Sequence, residues 1–181
     1  MEKVKEVPYG VADFVTVMEQ NLYYVDKTMF IPELEKQPRN LFFIRPRRFG
    51  KSTFLSMLHS YYDCNQSAKF QSLFGNLWIG QHPTELQGKY QVLFLDFSQV
   101  SGNIDSLERN FDFYCSVKLD GFMRRYGEAY SEETREKVRK AEYAMDKLAF
   151  IHDEAAQKGF SAIRKILFDS DGNRRTYELV G

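Results

Sequence analysis

Leu41-Phe42-Phe43-Ile44-Arg45-Pro46-Arg47-Arg48-Phe49-Gly50-Lys51-Ser52-Thr53 is the stretch from which the rest of the chain is read. Its first four residues are a continuous apolar run bounded by breakers, the pattern of a strand buried on both faces. From Gly50 to about Tyr62, Phe54, Leu55, Leu58 and Tyr61/Tyr62 fall three and four apart, which is a helical period. Between strand and helix lies a loop ending in Gly50-Lys51-Ser52, the close of a Walker A phosphate loop. Such a loop aims free backbone N–H groups and the positive helix end at one point. Gly50 lets the backbone approach a phosphate, Lys51 reaches the β- and γ-phosphates as a point charge, and the Ser52 hydroxyl meets the bridging Mg²⁺.

By chance alone, roughly one chain in ten of this length would carry GK[ST], so the context has to decide. Arg39, Arg45, Arg47, Arg48 and Lys51 fall within thirteen residues that contain no acid. The whole chain has 25 Lys+Arg against 25 Asp+Glu, so this local excess points to an anion site. Arg45 stands where the usual GxxxxGK[ST] loop has its first glycine, and Pro46 stiffens the turn. The plainer reading is a basic surface turn that caps a helix and binds nothing.

Upstream, Asp13 to Glu19 caps and begins a helix, Tyr23-Tyr24-Val25 is extended, and Asp26 or Thr28 caps a second helix ending near Lys36. Gln37 to Asn40 reads as a loop. Downstream, Asp63 to Lys89 is irregular and punctuated by glycine and proline, and Val92 to Phe97 reads as a second buried strand. Ser101-Gly102-Asn103 then turns into a helix running to about Tyr126. Ser131 caps the longest expected helix, with the stripe Val138, Ala141, Met145, Leu148, His152 and Ala155, and Gly159 stops it. The stripe reads as a core face, or as a short coiled-coil seam. Ile166 to Phe168, Asp169 to Asn173 and Thr176 to Val180 read as strand, turn and strand. The alternation predicts an α/β fold, a parallel sheet flanked by helices, and the phosphate-loop motif after its first strand makes it P-loop NTPase-like.

The 181 residues suffice for one domain with a core of its own. No apolar run exceeds four residues, which excludes a spanning helix, and the first ten residues lack the apolar stretch of a secretory signal. Cys64 and Cys115 lie far apart, and His59, His82 and His152 show no metal-ligand spacing. A cytoplasmic location and no membrane partner are the expectations.

The stretch RPRRFGKST resembles the phosphate loop of the AAA-ATPase-like family of bacterial and archaeal proteins, in which the form without the first glycine is the norm. Further similarities are Pro8-Tyr9-Gly10, the YVDKT of Tyr24 to Thr28, Tyr61-Tyr62, the LDFS of Leu95 to Ser98, and the helix containing Phe113-Tyr114-Cys115. The resemblance covers about residues 8 to 160. It implies an AAA-like fold binding ATP with Mg²⁺, the phosphates lying on Arg45, Pro46, Arg47, Arg48, Phe49, Gly50, Lys51, Ser52 and Thr53. It also puts Tyr24, Asp26 and Lys27 near the adenine end, although YVDKT reads equally as a capped turn with Tyr24 in the core. Proteins of the family it resembles usually carry a restriction-endonuclease-like domain after the ATPase domain.

The resemblance fails where the family has its Walker B strand ending in IDEYD. Here the chain reads FSAIRKILFDSDGN, with Ser170 in place of the glutamate and Arg164-Lys165 interrupting the apolar run. Asp169 is the candidate Mg²⁺ partner, an ordinary turn aspartate the alternative. Asp96, at the end of Val92 to Asp96, is read as structural. Residues 1–181 are thus expected to form the front part of such a domain, incomplete at the C-terminus: 1–40 an N-terminal segment, 41–160 the core, 161–181 a divergent tail. ATP binding is expected and turnover near background, for want of a general base. Two alternatives stand beside this: a nucleic-acid-binding module using the Arg39–Lys51 basic loop, which zero net charge disfavours, and a non-catalytic interaction module whose Val138–Ala155 stripe meets a protein partner or a second copy.

Overall fold

The computed structural model describes residues 5–37, 40–44, 46, 49–158 and 165–168. The chain divides into two compact units, Met1–Tyr90 with Arg164–Gly181, and Gln91–Ile163.

In the first unit, α1 (Phe14–Glu19) starts where Asp13 accepts the Thr16 N–H and hydroxyl at 2.8 and 2.7 Å. After Tyr24 and Val25, a 3-10 turn over Thr28–Phe30 leads into α2 (Ile31–Lys36), with Pro32 in its first turn, where its missing N–H costs nothing. Strand β1 (Asn40–Phe43) follows, then α3 (Lys51–Tyr62). The stretch read as irregular winds into a 3-10 turn and two short helices, α4 (Phe70–Phe74) and α5 (Trp78–Gln81). Phe14, Ile31, Phe54, Met57, Leu58, Tyr61, Leu73, Phe74 and Ile79 form the core. Aromatic faces set its geometry: Phe74 stacks on Phe14 with centroids 5.0 Å apart and meets Tyr61 edge-on at 5.5 Å.

In the second unit, α6 (Ile104–Tyr126) packs with α7 (Glu132–Lys140) and α8 (Ala144–Gln157). Leu119, Phe122, Tyr126, Tyr130, Val138 and Ile151 are buried. The long helix expected from Ser131 to Lys158 is broken, because Ala141-Glu142-Tyr143 leave helical geometry and Asp112 accepts the Ala144 N–H at 2.9 Å, starting α8 afresh. That break resets the phase. The buried face of α8 is Ala144, Lys147, Ile151 and Glu154, whereas Met145 is 67% exposed and His152 is exposed. The stripe is therefore no continuous face, and the interaction-module reading loses the helix it relied on.

Glu154 ties α8 to the start of α7. Its carboxylate accepts the Ser131 N–H at 2.8 Å and the Ser131 hydroxyl at 2.9 Å, and pairs with Lys158 at 2.5 Å. Lys158 first, then the Thr134 side chain and the Ser131 bonds, hold its pKa down at about 2. A depressed folded pKa gives stability that is complete above the ordinary carboxylate value and is lost as pH falls through the folded value. Acid should therefore weaken the fold progressively from about pH 4.5 down to about pH 2. Glu154→Gln should cost about 1–3 kcal/mol at neutral pH and show a shallower acid loss. Urea unfolding of both chains at pH 7, 4 and 2.5, followed by circular dichroism, measures this; parallel profiles would contradict it.

The predicted parallel sheet flanked by helices is not what the described residues form. They contain one two-stranded ladder, β1 pairing in parallel with β2 (Lys165–Phe168) in the register Asn40↔Lys165 to Phe43↔Phe168, and are otherwise mostly helical. Val92 to Phe97, expected as a second strand, joins no ladder. Two of its main-chain amides go to α6: Val92 N–H donates to the Tyr126 hydroxyl at 3.2 Å, and Asp96 N–H to the Tyr114 hydroxyl at 2.6 Å. An apolar run reports burial tendency, and here a helix with two tyrosines answers it in place of a neighbouring strand. The α/β P-loop architecture is corrected accordingly. The turn at Asp169 to Asn173, the strand at Thr176 to Val180 and the stop at Gly159 lie outside the described residues.

Candidate functional site

The left-handed conformation of Gly50 (φ 71°, ψ 26°) turns the chain from the loop into α3. Only glycine adopts it without steric cost. The first intrahelical bond is Phe54 N–H to the Gly50 carbonyl, at 3.0 Å. The N–H groups of Lys51, Ser52 and Thr53 therefore have no helical acceptor. Its N-cap residue, Gly50, offers no side-chain cap, and its first turn holds no acid. Three other helix starts do otherwise: Asp13, Asn103 and Ser131 cap α1, α6 and α7. With the helix dipole added, the start of α3 is a place where negative charge is stabilised.

The helix behind it is held firmly. Phe54, Met57, Leu58 and Tyr61 are buried on its inner face. On the first turns, Ser56 accepts the Phe14 N–H at 2.9 Å and donates to Asp13 at 3.0 Å, fastening α3 to the start of α1. Burial pushes the Asp13 carboxyl up, but the hydrogen bonds from Thr16 and Ser56 and the nearby His59 outweigh it, and its pKa falls below the usual value. Nothing in the spacing marks Ser56 as an anchor; a serine on a helix looks like any polar surface residue.

The YVDKT segment runs beside the same helix start. Tyr24 packs edge-on against Phe14 at 5.3 Å, and its hydroxyl is buried. Burial, with the Asp26 charge second, raises its pKa well above the usual phenol value. Asp26 is fully engaged: one oxygen accepts the Thr28 N–H and hydroxyl at 2.8 and 2.7 Å, the other the Trp78 N–H at 2.7 Å. Among the described residues, Lys27 is the member of the segment that stands beside Gly50. A Cβ placed on Gly50 would lie 3.4 Å from the Lys27 ammonium nitrogen.

Of the residues singled out in the sequence, the structure thus brings together Gly50, Lys51, Ser52 and Thr53 with Lys27. Ser52 is exposed, Lys51 and Thr53 are half-buried, and Phe49 and Pro46 stand toward solvent. Tyr24 and Asp26 spend their side chains on the core and on two helix starts. Arg39, Arg45, Arg47, Arg48 and Asp169 lie outside the described residues. Asp96 accepts the Ser98 N–H and hydroxyl at 3.1 and 2.6 Å, a turn-forming role. Among the described residues no helix is long and apolar enough to cross a membrane, and no three His, Cys, Asp or Glu side chains group to hold a metal ion.

The chain belongs to the AAA-ATPase-like family, described as Predicted AAA-ATPase, whose match spans residues 8–166. It is also similar to a protein of Azotobacter chroococcum mcd 1 described as "Uncharacterized protein in vnfD 5'region", 43% identical over 63 residues. That similarity covers 34% of this chain and 12% of the relative, so the matched part is about an eighth of the relative's length. No solved structure matches the chain.

Proposed function

We propose that this chain binds ATP with Mg²⁺ at the start of α3, the polyphosphate lying on the Arg45–Thr53 loop. The observation that supports this most is the uncapped, acid-free first turn of α3 behind a left-handed Gly50, in a chain of a family described as Predicted AAA-ATPase. The residues present suit a polyphosphate chemically. Three main-chain N–H groups, the Lys51 ammonium and the guanidinium groups of Arg45, Arg47 and Arg48 are all donors. The exposed Ser52 hydroxyl, with Asp169 as a second oxygen donor, would hold the Mg²⁺, which neutralises β- and γ-phosphate charge when bound. The base would lie on the side of the Tyr24–Lys27 segment, with Tyr24 supporting from within the core and not stacking on it. The free thiols of Cys64 and Cys115 suit the reducing cytoplasm.

Calorimetric titration of Mg·ATP into the purified chain tests the reading. Saturable one-site binding that persists at 0.3 M salt is expected. No binding at millimolar nucleotide would contradict it. Tight binding of a polynucleotide with affinity collapsing as salt rises would favour the nucleic-acid alternative instead.

A further inference from the structure

We propose that Lys27 is a second phosphate-binding ammonium of this site, reaching from the YVDKT turn to the polyphosphate beside Gly50. The proposal rests on the ATP-binding reading and adds to it a contact that neither the loop motif nor the spacing along the chain contains.

Position comes first. Gly50 lies twenty-three positions after Lys27 in the sequence, yet the ammonium stands 3.4 Å from where a Gly50 Cβ would be. Gly50, lacking a side chain, leaves the space between them open. The N–H groups of Lys51, Ser52 and Thr53 follow immediately, so an anion on them lies within reach of the same ammonium.

Rigidity comes second. Lys27 sits in a turn pinned from both sides. Asp26 binds Thr28 and the Trp78 N–H, and the Thr28 hydroxyl oxygen accepts the Ile79 N–H at 3.1 Å while Thr28 is wholly buried. The stem of Lys27 is itself half-buried. Little chain entropy remains to be lost when the ammonium takes a ligand.

Charge comes third. Among the described residues no carboxylate pairs with Lys27, and the adjacent acid, Asp26, has both oxygens engaged elsewhere. A half-buried cation beside the positive end of a helix and next to the Lys51 position concentrates positive charge at one place. A multiply charged anion relieves that. An ammonium has three donors and no acceptor, which matches phosphate oxygens and discriminates little on a neutral base. Lys27 should therefore select nucleoside di- and triphosphates over monophosphates.

Binding of Mg·ATP, Mg·ADP and AMP to the wild-type chain, Lys27→Gln and Lys27→Arg, by calorimetry with fluorescent-analogue competition, tests this. Lys27→Gln should weaken Mg·ATP by about ten- to a hundredfold while AMP changes less than about twofold, and Lys27→Arg should recover most of the loss. Melting followed by circular dichroism controls for folding, and the Arg-to-Gln ratio stays informative if both variants melt lower. Equal affinity of Lys27→Gln and wild type for Mg·ATP would overturn the proposal, as would equal losses for ATP and AMP, which would put Lys27 on the base. A wild-type chain that binds none of the nucleotides would instead overturn the ATP-binding reading beneath it.

Discussion

Lys51→Ala should abolish measurable Mg·ATP binding, a loss of about a hundredfold or more. Lys51 is the first residue of α3, directly after Gly50, and its ammonium is the one cation carried on the helix start itself. The main-chain N–H groups would survive the substitution, but they supply partial charges only. A triphosphate with its magnesium keeps a net negative charge, and a full positive charge in contact with it is worth more than any single amide. Folding is not at stake, since alanine is the better helix former and the buried face of α3 begins at Phe54. A fluorescent ATP analogue titrated against both chains, with melting curves as control, reads the effect directly. Equal affinity would remove Lys51 from the site.

Phe74→Ala should cost about 3–5 kcal/mol of stability, the largest loss expected from one core position. Phe74 is fully buried and meets three aromatic rings: Phe14 at 5.0 Å, Tyr61 at 5.5 Å and Phe70 at 5.6 Å. Truncation removes the ring on which α1, α3 and α4 converge and leaves a cavity whose rigid aromatic walls collapse poorly. Phe14 and Tyr61 belong to the helices joined through Ser56, so nucleotide affinity should fall with stability. Urea unfolding of the full chain, read through tyrosine and tryptophan fluorescence, measures the first effect. A loss below about 1 kcal/mol would mean that the unit is held by something other than this cluster.

How much of this was legible beforehand depended on the range of the signal. Local rules succeeded: Asp13 and Ser131 cap helices as their residue types suggest, and α3 follows the spacing of Phe54, Leu58 and Tyr61. The ion pairs Glu133–Lys137 and Glu136–Lys140 form at 2.7 and 3.0 Å, as their i, i+4 order predicts. Non-local pairing was not legible. Leu41 to Ile44 and Val92 to Phe97 look alike as apolar runs, yet Asn40–Phe43 finds a strand partner, while the amides of Val92 and Asp96 are answered by tyrosine hydroxyls. Counting the apolar period straight through Ala141 to Tyr143 misplaced the face of α8, because nothing in those residues demands a break. It takes Asp112, on another helix, to start the new one.

The site divides in the same way. Gly50-Lys51-Ser52 is a local motif, and the structure gives its glycine a left-handed conformation directly before α3. That Asp26 serves two helix starts, and that Lys27 turns to Gly50, are facts of three-dimensional proximity. In that segment Tyr24 packs on Phe14, Asp26 serves two helix starts, and Lys27 stands beside Gly50.

The claim under everything else is that the first amides of α3 hold a polyphosphate, and their resonances report on it directly. In ¹H–¹⁵N spectra of the labelled chain, saturating Mg·ATP should shift Gly50, Lys51, Ser52 and Thr53 most, in slow or intermediate exchange, and leave the buried amides of Met57 to Tyr61 nearly still. Nucleotide at saturating concentration with those four amides unmoved would contradict the account.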